Sequence, residues 1–250
     1  MTEPGAPELA LDHEDVLRLL GQGSMQIEGR LIDASNATLF CTVSLDAVTC
    51  ACVYKPTAGE RPLWDFPDHT LALREVATYL VSEATGWEIV PPTVLRDGPA
   101  GPGMCQLWID VDETVDLVEL SRSNDSRLRH MSVFDAVVNN ADRKGGHLLP
   151  TVDGHLYGVD HGVTFSAEDK LRTLLWQWRG MPLTDDALDV LFQLEADLDE
   201  KRSSGLRDGL IKLLSRREIQ ATRRRVRRLL DTGIHPEPSD DWPAIPWPPF

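Results

Sequence analysis

The chain has no apolar run long enough to span a bilayer; runs such as residues 47–54 fall far short of the ~20 residues a crossing helix needs. Its first seven residues are acidic and Pro/Gly-containing, with neither a basic stretch nor an apolar core. A secretory signal is therefore not expected, and the cytoplasm is the expected location. Cysteine is sparse: Cys41, Cys50, Cys52 and Cys105 show no C-x-x-C spacing, which argues against a zinc site, and they read as buried thiols. No His-x-x-x-His or His-Glu-x-x-His spacing occurs, so a zinc hydrolase lacks its ligand pattern. His130, His155 and His161 instead read as hydrogen-bonding residues of turns. Positive charge is also short, 25 Lys and Arg against 40 Asp and Glu for a net charge of −15. That balance disfavours non-specific nucleic-acid binding, which rests on neutralising phosphates, and no nucleic-acid partner is expected.

What the chain does have is length and pattern. Its 250 residues suffice for one large domain or two lobes sharing a cleft. Helical spacing over 9–20 stops at Gly21 and Gly23. Residues 25–54 then read as a three-stranded antiparallel meander, with turns at 33–36 and 44–46. Helical spacing returns over 69–87, and strands are expected at 89–95 and 104–111 around a Gly/Pro-rich turn at 96–103. Beyond this the pattern is mainly helical: 115–121, 128–138, 184–200, 205–214 and 216–231, the last with Ser215 and Glu218 spaced as a capping box and Gly233 past its end. Between them, short strands at 148–150 and 155–159 flank an Asp153-Gly154 hairpin turn. Residues 234–250 hold six prolines and two tryptophans, Trp242 and Trp247. They read as a disordered tail or an extended arm packed on the body.

The segment 133–165 carries the chemistry. Asp142 and Asp160 flank the hairpin, so folding it brings their carboxylates together, with His147 entering the first strand nearby. Converging acidic groups with a polar third residue make a site for Mg²⁺, which takes oxygen ligands and shares them with phosphates.

Asp142-Arg143-x-x-x-His147, a short strand, a turn, and a strand ending Asp160-x-Gly162-x-x-Phe165 resembles the active-site core of atypical kinases. In phosphatidylinositol 3- and 4-kinases that core reads D-R-H-x-x-N followed by H-I-D-F-G, and HipA-type and Fam20 kinases carry related forms. The whole chain resembles an actinobacterial phosphatidylinositol 3/4-kinase-like family. The resemblance implies a bilobal α+β, protein-kinase-like fold, with a β-rich N-lobe over 12–110, a mainly helical C-lobe over 111–233, and the tail at 234–250. It implies ATP with Mg²⁺ or Mn²⁺ as cofactors, and transfer of the γ-phosphoryl group to a hydroxyl of a protein, a small molecule or a phosphoinositide.

By residue, the resemblance makes Asp142 the group that orients or deprotonates the acceptor hydroxyl, and Asp160 the metal ligand. His147 stands where the family has a metal-binding Asn, and an imidazole suits Mn²⁺ better than Mg²⁺. Lys144 stands where lipid kinases have His, and would lend positive charge to the transferring phosphoryl group. Gly23 and Ser24, after Gly21, are expected to place backbone N–H groups over the phosphates. Strand alternation puts Val53 and Lys55 on one face, Val53 over the base and Lys55 on the phosphates, with Glu75 as ion-pair partner. Trp108 and Ile109 fall in the segment joining the lobes, against the base. The departures at His147 and Lys144 keep two alternatives open, a nucleotide-binding pseudokinase and an AMP-transferring enzyme. Arg216 to Arg228, with seven arginines, reads either as a solvated face pairing with acidic residues 185–200 or as a weak docking surface for anionic membrane or protein.

Overall fold

The computed structural model describes residues 12–31 and 36–250. Residues 9–11 of the expected first helix, and 33–35 of the expected 33–36 turn, lie outside the described residues. Helix α1 (His13–Gln22) starts at Asp12, whose carboxylate accepts the Asp15 N–H at 2.7 Å. Strands β1 (Ser24–Arg30), β2 (Leu39–Leu45) and β3 (Val48–Pro56) form the meander, and α2 (Leu71–Thr85) follows, ending at left-handed Gly86. Strands β4 (Thr93–Gly98) and β5 (Gly101–Leu107) complete one antiparallel sheet of order β1-β2-β3-β5-β4. Both differ from the spans expected at 89–95 and 104–111. Pro91 and Pro92 lack the N–H a ladder needs, so β4 begins only at Thr93. The turn narrows to Pro99 and Ala100 before Gly101 (φ 95°).

Alternation along the strands gives the sheet two faces. Cross-strand pairs Cys41–Cys52 and Tyr54–Cys105 set Cys41, Val43, Cys52, Tyr54 and Cys105 in a buried layer with Leu20 of α1. All four cysteines are free, and burial pushes the Cys41 thiol up to about 12 and Cys50 to about 11. They act as small hydrophobes rather than nucleophiles. The other face carries Val53, Lys55, Met104 and Gln106. Met104 packs on Ala72 and Val76 of α2; the rest faces a cleft.

The second half is mainly helical: α3 (Leu117–Arg122), α4 (Ser126–Val138), the hairpin β6 (Leu148–Pro150) and β7 (Leu156–Gly158), then α5 (Asp185–Asp197), α6 (Gly205–Leu210) and α7 (Arg216–Thr232). Helix α4 is buried on all sides from Met131 to Val138, with Leu128, Met131, Phe134 and Val138 fully buried in the largest core cluster, as befits a helix end enclosed by others. Helix α7 has the reciprocal capping box of Ser215 and Glu218 and ends at left-handed Gly233. Four of its seven arginines are paired: Arg216 with Glu200, Arg223 with Glu195 and Asp199, Arg227 with Glu195, and Arg228 with Asp169. Arg225 is buried, donating to the Val137 and Ser166 carbonyls. Three of the four paired arginines are met by α5 and the turn after it, and the fourth by Asp169.

Among the contacts that join the halves, two lie away from the cleft. Buried Arg74 of α2 donates to the Thr164 carbonyl at 2.6 Å and pairs with Glu218 at the start of α7. The 234–250 segment is an extended arm. Ala244 accepts from Thr173 N–H (3.1 Å) and Trp176 Nε1 (2.9 Å), and the Pro249 carbonyl accepts the Gly145 N–H at 2.8 Å. Trp242 stacks on Trp64, and the buried Lys170 ammonium lies 4.6 Å from the Trp242 ring centre.

Candidate active site

The α4–β6 connection is built around a buried ion pair. Asp135 on α4 and Arg143 in the loop, both fully buried, meet at 2.9 Å. Asp135 also accepts from Asn140 Nδ2 (3.0 Å) and the Thr173 hydroxyl (3.3 Å). Arg143 reaches the Val159 carbonyl (3.3 Å) and His161 Nε2 (2.6 Å), so it ties this loop to the segment after β7. Gly158 is needed beneath it, because a Cβ there would lie 3.0 Å from Arg143 Nη1. Asn139 closes α4 in the left-handed region (φ 54°), and Asn140 Oδ1 accepts the Asp142 N–H at 3.0 Å. That leaves the Asp142 carboxylate facing the cleft, 3.1 Å from Lys144 Nζ.

Asp160, two residues beyond β7, sits at φ 61°, a conformation costly for a non-glycine residue and held here by its surroundings. Its Oδ1 accepts from Lys55 Nζ at 2.8 Å, and its Oδ2 lies 3.5 Å from His147 Nε2. Lys55 also donates to Glu75 Oε1 at 2.6 Å, and Glu75 Oε2 accepts the His161 N–H at 2.9 Å. Strand β3, helix α2, the α4–β6 loop and the segment after β7 therefore converge on one cleft.

Each charge has a physical cause. Burial opposes the Lys55 ammonium most strongly, but the Asp160 and Glu75 carboxylates outweigh it and hold its pKa above the ordinary lysine range. Lys55 holds the Asp160 carboxyl well below the usual carboxylate range, although half of its side chain is open to solvent. Burial pushes Glu75 up against the pull of Lys55. Burial also lowers His147, and burial followed by the Arg143 charge pushes His161 well down, so both rings are neutral near pH 7.

The cleft contains two adjoining cavities. The larger, about 380 Å³, is walled by Val53, Trp108, Ile109, Leu149 and Val159, with Lys55, His147 and Asp160 at its polar end. The smaller, about 210 Å³, is lined by Lys55, Glu75, Asp142 and Asp160 together with Glu60 and Arg61. The expected residues Val53, Lys55, Glu75, Trp108, Ile109, Asp142, His147 and Asp160 all line one cavity or the other, and Lys144 joins them through Asp142.

Gly23 and Ser24 do not. Ser24 pairs with Ser44, which lies opposite Thr49, six residues before Lys55 and so ~20 Å away along the strand. Gly23 serves the tight passage from α1 into β1, where a Cβ would lie 2.6 Å from the Leu19 carbonyl. The connection that reaches the cleft is β1–β2, represented by Leu31, Asn36 and Thr38. Pattern reading also missed Asp135, an acid in the buried half of α4 whose partner Arg143 lies eight residues on. It missed Gln106 as well, whose strand face follows from its pairing with Val53.

Among the described residues no group of three His, Cys, Asp or Glu is close enough to hold a metal ion. His147 Nε2 and Asp160 Oδ2, 3.5 Å apart, can still share a cation. One nitrogen and one oxygen donor fit a divalent ion that takes its remaining ligands from phosphates and water.

A five-stranded sheet with a helix-anchored lysine, followed by a mainly helical half, defines a kinase-like fold. The chain superposes on a hydra Fam20 structure solved with sugar at a TM-score of 0.59, with 14% identity over 88% of this chain and 87% of that one. It superposes on a Golgi casein kinase with Mn/ADP bound at 0.61, with 14% identity over 88% and 74% of the two chains. In sequence, the chain belongs to the family of Protein Rv2133c from Mycobacterium tuberculosis, being 44% identical over 272 residues, 95% of this chain and 96% of that protein. No protein-family model matches it.

Proposed function

We propose that this protein is an ATP-dependent phosphotransferase of the atypical-kinase type. The observation that carries the reading is Lys55, held at once by Glu75 (2.6 Å) and Asp160 (2.8 Å) in a cleft that Asp142 also lines. In this reading the larger cavity takes the base, with Val53, Trp108 and Ile109 against it, and Lys55 supplies the charge that meets the phosphates. The acceptor hydroxyl oxygen bonds to the γ-phosphorus, the bond to the β,γ-bridging oxygen breaks, and ADP leaves. Asp142 orients the hydroxyl and takes its proton, and Lys144 offsets charge on the transferring group. Asp160 and His147 would hold Mg²⁺ or Mn²⁺ arriving with the triphosphate, which would supply further charge neutralisation. The Mn/ADP in the Golgi casein kinase of like fold supports this choice of ligand. The acceptor is a protein hydroxyl or a small molecule; the phosphatidylinositol-kinase-like resemblance adds phosphoinositides to that set.

The 3.1 Å contact between Lys144 and Asp142 favours one second reading, a nucleotide-binding pseudokinase, because the ammonium sits on a carboxylate oxygen that an acceptor hydroxyl would need. Calorimetric titration with ATP, with and without Mg²⁺ or Mn²⁺, separates the roles. Asp160→Asn should abolish the metal dependence of binding, whereas Asp142→Asn should keep binding and lose turnover. Wild-type protein that binds ATP but turns over none with either metal selects the pseudokinase. AMP and pyrophosphate as products, in place of ADP, select an AMP-transferring enzyme.

A further inference from the structure

The wall of the larger cavity carries a side-chain amide whose orientation is fixed. Gln106, 4% exposed, sits on β5 between Val53 of β3 and Thr93 of β4, on the sheet face that looks into the cleft. Its Nε2 donates to Thr93 Oγ1 at 2.8 Å. The Thr93 hydroxyl spends its one hydrogen on the Pro91 carbonyl at 2.7 Å, so towards Gln106 it can only accept, and the amide group it meets must be the NH₂. That assigns the other end of the amide. Gln106 Oε1 receives no hydrogen bond from the described residues, yet it is not among their sealed, unpartnered buried atoms. Gln106 also lines the cavity, and Oε1 is the end of its amide that no described residue holds. Met104, two residues earlier on β5, pairs with Lys55; Gln106 therefore lies ~7 Å from the charged end, towards the apolar walls that would hold a base.

We infer that Gln106 is a base-selecting residue, its Oε1 accepting a hydrogen bond from an exocyclic amino group on the ring that fills this cavity. The inference rests on the nucleotide-binding reading above and adds to it the choice of base. A 6-aminopurine presents a donor to Oε1. A 6-oxopurine presents a carbonyl lone pair to a lone pair, and burying two unpaired acceptors against each other is unfavourable. Thr93 acts through Gln106 as a positioning residue: while it holds Nε2, the amide cannot turn over to offer its NH₂ instead.

The test uses ATP and ITP, which differ at the 6-position, amino against oxo, and in the N1 hydrogen of the oxo base, titrated calorimetrically into the full chain with Mg²⁺. Wild type should bind ATP about tenfold or more tightly than ITP. Gln106→Leu should shrink that ratio to about twofold by weakening ATP. Thr93→Val should shrink it in the opposite way, by strengthening ITP, since the freed amide can rotate; a merely structural role for Thr93 would not improve the poorer ligand. Equal binding of ATP and ITP to wild type, or an undiminished preference in Gln106→Leu, overturns this inference and leaves the functional reading standing. Binding of neither triphosphate overturns both.

Discussion

Replacing Lys55 by Met removes the one cation between two carboxylates, and the size of the effect follows from where each lies. Glu75 is 2% exposed, while Asp160 is half-exposed and can take up water, so nearly all the cost falls on Glu75. Stranding one member of a fully buried pair costs about 3–5 kcal/mol. Glu75 keeps its bond from the His161 N–H, and it can protonate, which lowers the expectation for Lys55→Met to about 2–4 kcal/mol at pH 7. Glu75→Gln alone leaves Lys55 with Asp160 and should cost less. In the double variant neither charge is stranded, so its cost should fall short of the sum of the singles by at least ~1.5 kcal/mol. Urea unfolding followed by tryptophan fluorescence reads these differences, with Lys55→Met lowering the midpoint by roughly 1 M. The pH dependence has a definite sign. A carboxyl raised in the folded state, as burial raises Glu75 from 4.5, contributes stability below its unfolded value and loses it as pH rises through the folded value. A carboxyl lowered in the folded state, as Lys55 lowers Asp160 from 3.8, contributes above its unfolded value and loses it as pH falls. Protonation of Glu75 therefore shrinks the Lys55→Met deficit as pH falls from neutral towards ~4, while the Asp160 part fades only at lower pH. Additive singles, or a deficit that grows in acid, would refute the pairing.

Asp135→Ala strands fully buried Arg143 and should cost about 3–5 kcal/mol, enough for thermal denaturation to show a large fall in Tm. Gly145→Ala would set a Cβ against the Phe250 ring and should cost about 1–3 kcal/mol. Phe250→Ala in the same chain should restore most of the lost Tm; a double variant no better than the single would mean the arm does not pack on this loop. Ser215→Ala removes one cap and should cost about 1 kcal/mol. Glu218→Ala loses the cap and also strands Arg74, so its drop in Tm should be severalfold larger.

Much of the fold was legible because local signals agreed with one another. Ser215, Glu218 and Gly233 bracket α7 by side-chain chemistry alone, and Asp153-Gly154 fixes the hairpin, with Gly154 at φ 86°. That hairpin made the approach of Asp142, His147 and Asp160 readable, and period-two alternation on β3 put Val53 and Lys55 on one face. The rest depends on contacts that sequence spacing does not carry. Gly23 resembled a phosphate-loop glycine, yet its lack of a side chain answers to the Leu19 carbonyl. The β1–β2 connection reaches the cleft without any glycine signature, since Leu31, Asn36 and Thr38 are the residues it contributes. The arm left both of its readings open because proline content excludes a helix without saying what the segment packs on; Thr173, Trp176 and Gly145 supply that answer. The arginines of α7 likewise became intelligible only with Glu195, Asp199 and Glu200 opposite them.

The central claim is that Lys55, Glu75 and Asp160 form a phosphoryl-transfer site together with Asp142. Its most direct test is ATP turnover resolved by product, with Mg²⁺ and with Mn²⁺, on wild type and on Asp142→Asn and Asp160→Asn variants shown to be folded. The account predicts ADP formation by wild type with at least one metal, and its loss by a factor of roughly a hundred or more in either variant. ADP formation undiminished in both variants would contradict it.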